Sequence, residues 1–253
     1  MAKRRLPTLF ENRDPILHSD YHVHSTFSDD AVSTIAENIA AAAATGLTTI
    51  RLIDHVRQST TWVPEFLAAV AAEPVPDGLR VLTGVETKIM DAAGTLDLPL
   101  DIHVGDGGLD AIVIADHQFP GSDGPWSPES TIERLAAGLS TADALDLLIS
   151  GYVGAMRASA SAQLAHPFSI LPKIGLSEDD LSDEQLQRWA STAAETGTLV
   201  EVNEKWNCPG VRVIRAARAA GAQIVAATDS HVDTEVGRYD AVAALLLEEV
   251  AGR

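Results

Sequence analysis

The sequence predicts an α/β fold built on a mainly parallel sheet, either closed into a barrel or opened as a doubly wound sheet. Short apolar runs rich in β-branched residues alternate with helical stretches seven times. Several runs, such as Ala111-Ile112-Val113-Ile114-Ala115, are apolar at every position, as strands covered on both faces must be. Each run also ends in a histidine, a carboxylate or both, which gathers polar groups at one end of the expected strands.

Strands are expected at 19–24, 48–54, 80–86, 110–115, 162–166, 198–203 and 222–229. The stretch 34–45 is Ala-rich and stops at Gly46, a residue suited to the left-handed position after a helix. The stretch 182–196 stops at Gly197 in the same way, and 209–220 opens on Pro209 and stops at Gly221. A last helix is expected at 240–250. The interval 118–161 opens with Pro120, Gly121, Gly124 and Pro125 and turns helical near Pro128, which suggests a loop plus helix able to act as a lid. No linker divides the chain, so one domain is expected over 1–253, with the barrel from about residue 19.

Composition narrows the function. With 46% hydrophobic and 21% charged residues the chain should bury a full core. The formal net charge of −18 disfavours nucleic acid as a partner, because such binding relies on Lys and Arg to displace counterions from phosphates. A small phosphorylated substrate is still admitted, since it responds to the local field of a metal site. Cys208 is the single cysteine, so no intrachain disulfide can form. Residues 1–5 are basic but no apolar stretch follows, and no apolar run reaches the ~18 residues of a membrane span. A cytoplasmic enzyme is the expectation.

Six of the eight histidines fall at or just past expected strand ends: His22, His24, His55, His117, His166 and His231. In parallel α/β folds those ends open onto one face, so side chains scattered over the chain converge there. A lone histidine in such a place is more often a surface or core residue. Six, with Asp29, Glu86 and Asp229, make a metal centre. Imidazole and carboxylate together suit Zn, Mn or Fe. His22 and His24 are two apart on one strand, so they share a face and can chelate one ion; Asp229 and His231 repeat the spacing. Nine ligands exceed the four of a tetrahedral zinc and suit two or three ions. Asp30 is the alternative to Asp29, and His103 the alternative to His117, which is preferred for its strand-end position.

The ordered set of motifs resembles the polymerase and histidinol phosphatase (PHP) superfamily. Asp20-Tyr21-His22-Val23-His24-Ser25 with Ser28-Asp29 is similar to its first motif and Asp54-His55 to its second. Gly84-Val85-Glu86 resembles the bridging-glutamate motif, and Ala115-Asp116-His117, Ala165-His166-Pro167 and Thr228-Asp229-Ser230-His231 the later ones. The resemblance runs from about 19 to 238. It implies a distorted seven-stranded (β/α)7 barrel, with the active site at the C-terminal ends of the strands and three divalent ions. It assigns His22, His24, Glu86 and Asp229 to the first ion, Asp29, His55 and His231 to the second, and Glu86, His117 and His166 to the third.

The implied activity is hydrolysis of a small phosphomonoester, an alcohol phosphate or nucleotide, by metal-activated hydroxide. Phosphate-binding cations are sought near strand ends: Lys205, Arg238, Arg57 and Lys88, with Arg157 on the helix before the fifth run. Trp62, Trp126 and Trp206 either stack on a substrate ring or pack. Asp54 and Asp116 neighbour ligands and are expected behind them; Glu201 and Asn203 either orient a ligand or pack. Two other functions remain, a phosphodiesterase or exonuclease acting on nucleic-acid ends and a metal-binding domain without catalysis.

Overall fold

The computed structural model describes residues 14–251; the basic residues 1–5 lie outside them. Seven parallel strands form one sheet in the order β1 (Ser19–Val23), β2 (Thr49–His55), β3 (Arg80–Lys88), β4 (Ala111–Ala115), β7 (Ala162–Leu164), β8 (Leu199–Asn203) and β9 (Ile224–Ala227). The sheet curls until its edges meet. Val23 at the end of β1 bridges Ser230 just past β9, and the His24 N–H donates to the Ser230 carbonyl at 2.9 Å. Of the two architectures left open by the pattern, the chain therefore adopts the nearly closed barrel.

The helices form where the caps predict. Thr34 and Glu37 close a capping box at the start of α1 (Ile35–Ala44), and Ser182 and Gln185 do so for α5 (Asp183–Thr196). Gly197 and Gly221 are left-handed and end α5 and α6 (Val211–Ala220). α7 (Ala241–Ala251) closes the described chain. α2 (Val63–Ala72) fills one of the expected helical intervals, but the sequence does not mark its bounds, because Pro64 hides its start and no polar residue caps it; the proline sits in the first turn, where its missing N–H costs nothing.

The interval expected as a loop plus helix holds more regular structure than the pattern suggests. Its Gly/Pro-rich part is an antiparallel hairpin, β5 (Phe119–Gly121) with β6 (Gly124–Trp126). Trp126 stacks on the fully buried Phe119 at 5.6 Å between ring centres. Two helices follow, α3 (Pro128–Ala136) and α4 (Thr141–Ala158). α4 buries Leu145, Leu148, Ile149 and Tyr152 completely, which makes it part of the barrel's outer layer. Gly151 and Gly154 let the turn at 91–94 lie against it: a Cβ on Gly154 would come 2.0 Å from the Ala93 carbonyl oxygen.

One large apolar cluster lies between the strands and the helices, and a separate small one, Ile53, Val113, Ala115 and Ala165, lies inside the barrel. Above that inner plug stand the histidines and carboxylates of the strand ends. His55 and Glu86 are direct partners across β2 and β3, so strand register alone brings these two ligands side by side. Among the described residues no helix is long and apolar enough to cross a membrane.

Candidate metal centre

Glu86 stands at the middle of the histidines. Its Oε1 lies 3.1 Å from His117 Nε2 and 3.1 Å from His166 Nε2. Its Oε2 lies 2.9 Å from His55 Nε2 and 3.4 Å from both His22 and His24 Nε2. Asp229 Oδ1 reaches His24 Nε2 at 3.3 Å, His231 Nδ1 at 3.5 Å and His22 Nε2 at 3.8 Å. Three sets of ligand atoms fall within 4.8 Å of one another: His22, His24 and Glu86; His24, Asp229 and His231; His55, Glu86 and His117. Ligands ~2 Å from a common ion stand roughly 3–4 Å apart, so these spacings fit a shared cation. Glu86 Oε2 is buried and makes no well-directed hydrogen bond despite its three imidazole neighbours. An orphaned buried carboxylate oxygen surrounded by nitrogen lone pairs fits a metal ligand.

The second acid of the first loop differs from the expected one. Asp30, not Asp29, approaches the cluster, with Oδ1 3.4 Å from His55 Nδ1 and Oδ2 3.2 Å from His231 Nε2. Both acids are exposed and line the same cleft, but among the described residues only Asp30 has a carboxylate contact to the imidazoles. Adjacent residues in a turn diverge, and sequence position alone does not say which one turns inward. Asp30→Asn is expected to weaken metal binding at least roughly tenfold in chelator competition. Asp29→Asn should stay within about threefold, the range of an exposed substitution. Equal losses in the two variants would return Asp29 to the centre.

Behind the buried imidazoles stand carboxylates that set their tautomers. Ser28 Oγ donates to Asp54 at 2.7 Å and so receives the His24 Nδ1–H at 3.1 Å. Ser169 Oγ donates to Asp116 at 2.8 Å and receives the His166 Nδ1–H at 3.0 Å. Glu201 takes the His22 Nδ1–H directly at 2.8 Å. Each arrangement fixes a proton on Nδ1, so that Nε2, on the side of Glu86, is the nitrogen offered to an ion. Asp54 and Asp116 thus act behind the ligands as their positions predicted, while the two relaying serines were missed. Their signal was a hydroxyl three or four residues past a strand-end histidine.

The strands end in unusual backbone at this face. His166 and Asp229 have positive φ, 29° and 55°, and neither is glycine. Such conformations cost of order 1–3 kcal/mol each and turn both side chains inward from strands that have already stopped.

The electrostatics are those of a cluster that draws positive charge. Burial opposes charge on His22, yet Glu201, Glu86 and Asp229 hold it well above the ordinary imidazole range. Burial likewise opposes ionisation of Glu86, but His117 and His22 hold its carboxyl well below the usual range. Against its burial, His166 is carried up to about 10 by Asp116 and Glu86. His24, less favourably paired, is pushed down to about 3 by burial. Protons on His22 and His166 offset the buried carboxylates, and a divalent ion would displace them.

The expected phosphate-binding cations divide. Lys205 Nζ lies 3.5 Å from Asp229 Oδ1 and 3.1 Å from His231 Nδ1, at the mouth. Arg57 and Lys88 line an adjoining cleft of about 500 Å³ with Phe27, Trp62, Asp29 and Asp97, and Lys88 is paired with Asp97 at 3.4 Å. Arg157 is at the wrong end: α4 returns to the start of β7, so its last turn is at the opposite face, where Arg157 lies 3.9 Å from Glu195. Arg238 is exposed, and among the described residues no contact joins its side chain to the cluster. His103 is also outside, bonded to the Asp106 carbonyl at 3.0 Å in the loop before β4.

The tryptophans divide as well. Trp206 donates its indole N–H to Asp229 Oδ2 at 2.7 Å and lies under Lys173 at 4.1 Å, which makes it a support for a ligand. Trp62 packs on Phe27 and Phe66 beside the cleft, and Trp126 belongs to the hairpin.

Comparison with known proteins agrees with this architecture. A probable phosphatase of Acetivibrio thermocellus is 28% identical over 240 residues, covering 90% of this chain and 86% of that protein. Another from Thermoanaerobacter sp. strain X514 is 27% identical, covering 87% and 82%. The histidinol phosphate phosphatase of Lactococcus lactis, solved with zinc, L-histidinol and phosphate, superimposes with a TM-score of 0.52 at 14% identity over 92% of this chain and 93% of that one, a likeness of fold. The PHP domain family model matches residues 20–205, and the chain belongs to that family.

Proposed function

We propose that this chain is a metal-dependent phosphatase of small phosphomonoesters, with a centre of three divalent ions, Zn, Mn or Fe. The observation that carries the reading is Glu86, whose two oxygens stand between two groups of imidazoles, as a bridging ligand must. His22, His24, Glu86 and Asp229 would hold one ion, Asp30, His55 and His231 a second, and Glu86, His117 and His166 the third. Ions bound there supply Lewis acidity toward phosphoryl oxygens and bring the pKa of water toward neutrality. The names of the relatives support phosphatase chemistry.

The protein's own residues do the rest. Glu201, Ser28 and Ser169 hold the imidazoles in one tautomer, so their orientation costs nothing at the moment of reaction. Lys205 places an ammonium where it can meet a non-bridging oxygen and the charge that gathers there. The leaving group has room in the cleft bounded by Phe27, Trp62, Arg57 and the Lys88–Asp97 pair. That cleft favours a small polar alcohol over a polynucleotide. Lys88 is paired with Asp97, and Arg57 shares the lining with Asp29 and Asp30, whereas a strand-binding groove needs a run of cations along the backbone.

The test is a panel of phosphomonoesters assayed beside a 5′-labelled oligonucleotide, with and without chelator. Metal-dependent release of phosphate from monoesters is expected. Lys205→Met should lower kcat/KM by roughly 10–100-fold, the worth of one charged hydrogen bond of about 1.5–3 kcal/mol. Shortening of the oligonucleotide without monoester turnover would replace the reading by a nuclease. Bound metal with neither activity would replace it by a non-catalytic domain.

A further inference from the structure

Beneath the histidines, inside the barrel, lies a buried guanidinium. Arg51 is on the inner face of β2, two residues before Ile53 and four before His55, and is only 5% exposed. Gly84 makes room for it on β3. A Cβ there would meet Arg51 Cδ at 3.4 Å and the Ala111 carbonyl oxygen at 3.3 Å. Among the described residues no carboxylate forms an ion pair with Arg51; Tyr21 lies against its guanidinium at 5.0 Å. Instead Arg51 Nη1 donates to Gln163 Oε1 on β7, across the barrel beyond β3 and β4. A buried guanidinium costs several kcal/mol to desolvate. If the position served only to fill space, an apolar side chain would fill it at lower cost.

The hydrogen bond from Arg51 has a directional consequence. An amide can face either way, but with Oε1 taken by Arg51 the nitrogen of Gln163 must face upward. It donates to Glu201 Oε1 at 2.5 Å and to the Tyr21 carbonyl at 2.8 Å. The same Glu201 oxygen accepts the His22 Nδ1–H at 2.8 Å. Glu201 Oε2 accepts the His166 backbone N–H at 3.0 Å and Asn203 Nδ2 at 3.1 Å. A carboxylate only accepts, so the Nδ1 proton of His22 is fixed and its Nε2, facing Glu86 and Asp229, is the nitrogen available to an ion.

We infer that Arg51 and Gln163 are positioning residues for the metal centre: Arg51 sets the orientation of the Gln163 amide, Gln163 holds Glu201, and Glu201 holds His22 in the metal-binding tautomer. The inference rests on the metal-centre reading above. Without Arg51 the Gln163 oxygen loses its donor, so the amide that carries Glu201 is held from one side only and the position of Glu201 against His22 is less firmly fixed.

The test measures metal binding, not turnover. Chelator competition is run with Zn²⁺ and with Mn²⁺ on the wild-type protein, Arg51→Met, Gln163→Met, the double variant and Arg51→Lys. Each single Met variant is expected to weaken one class of ion by roughly 10–100-fold, the usual effect of losing a group behind a ligand. Because Arg51 acts through Gln163, the double variant should bind no more weakly than Gln163→Met alone. Arg51→Lys, which keeps a donor, should recover part of the loss. Unchanged affinity in Gln163→Met would overturn the inference, and so would losses that simply add in the double variant. If Arg51→Met does not fold, Gln163→Met decides the matter through its metal-dependent rise in Tm above the metal-free melt. That rise should shrink for a positioning residue and be retained if only packing has changed. Absence of metal binding by the wild-type protein would instead remove the reading on which the inference stands.

Discussion

Glu86→Gln should lower phosphatase turnover by at least about 10³-fold while leaving the barrel folded. One side chain approaches five imidazoles, with Oε1 serving His117 and His166 and Oε2 facing His55, His22 and His24. An amide has nearly the same shape but carries no charge, and it presents an NH₂ group to nitrogen lone pairs on one side. Both groups of imidazoles would lose their shared anion. Metal assistance supplies several kcal/mol of transition-state stabilisation, and each 1.36 kcal/mol is about a factor of ten. Steady-state rates, metal content by elemental analysis and far-UV circular dichroism on one preparation check this. A variant that keeps its metal and turns over within tenfold of wild type would show that Glu86 does not bridge.

The second large effect is on stability. Glu201→Ala should cost roughly 3–5 kcal/mol, the range found when one member of a buried charged pair is removed. Glu201 is fully buried and accepts from His22, Gln163, Asn203 and the backbone of His166. Alanine leaves the His22 ring, the Asn203 amide and the His166 backbone N–H without their carboxylate partner and Gln163 with the Tyr21 carbonyl alone. Denaturant unfolding of the metal-free proteins measures the loss. A loss under 1 kcal/mol would mean that the donors find other acceptors and that the network is weakly coupled.

Much of the centre was legible because it follows strand periodicity. His22 with His24, and Asp229 with His231, share a face by spacing alone, and each strand-end histidine was read from where its apolar run stops. The barrel could be told from an open sheet only by family resemblance, since closure rests on contacts between the two ends of the chain, such as the bridge from Val23 to Ser230, that no local pattern encodes. Asp29 and Asp30 could not be separated, because turn geometry decides which neighbour points inward. Arg157 was misplaced because strand-end proximity was judged along the chain, whereas the last turn of a returning helix lies at the opposite face. Gln163 and Arg51 were invisible for another reason. Inside a barrel the contacts run across the axis, here over 112 residues of sequence, and two polar residues in apolar strands carry no sign of their partner.

The seam between β1 and β9 bears on how the protein reaches its active form. The buried Asp20 carboxylate fastens that seam, accepting from the Thr228 N–H at 2.9 Å, the Thr228 hydroxyl at 2.6 Å and the Gly237 N–H at 3.0 Å. Closing a loop of about 200 residues is entropically expensive, and pairings of such long range tend to form late in folding. His22 and His24 stand on one side of the seam, Asp229 and His231 on the other. A partly folded chain, with its sheet still open, therefore has divided ligand sets and weak affinity for cations. Ions that bind only the closed barrel pull the population toward it by mass action. An ion at the proposed centre would therefore bind the closed barrel more tightly than the open sheet, and its presence would favour closure.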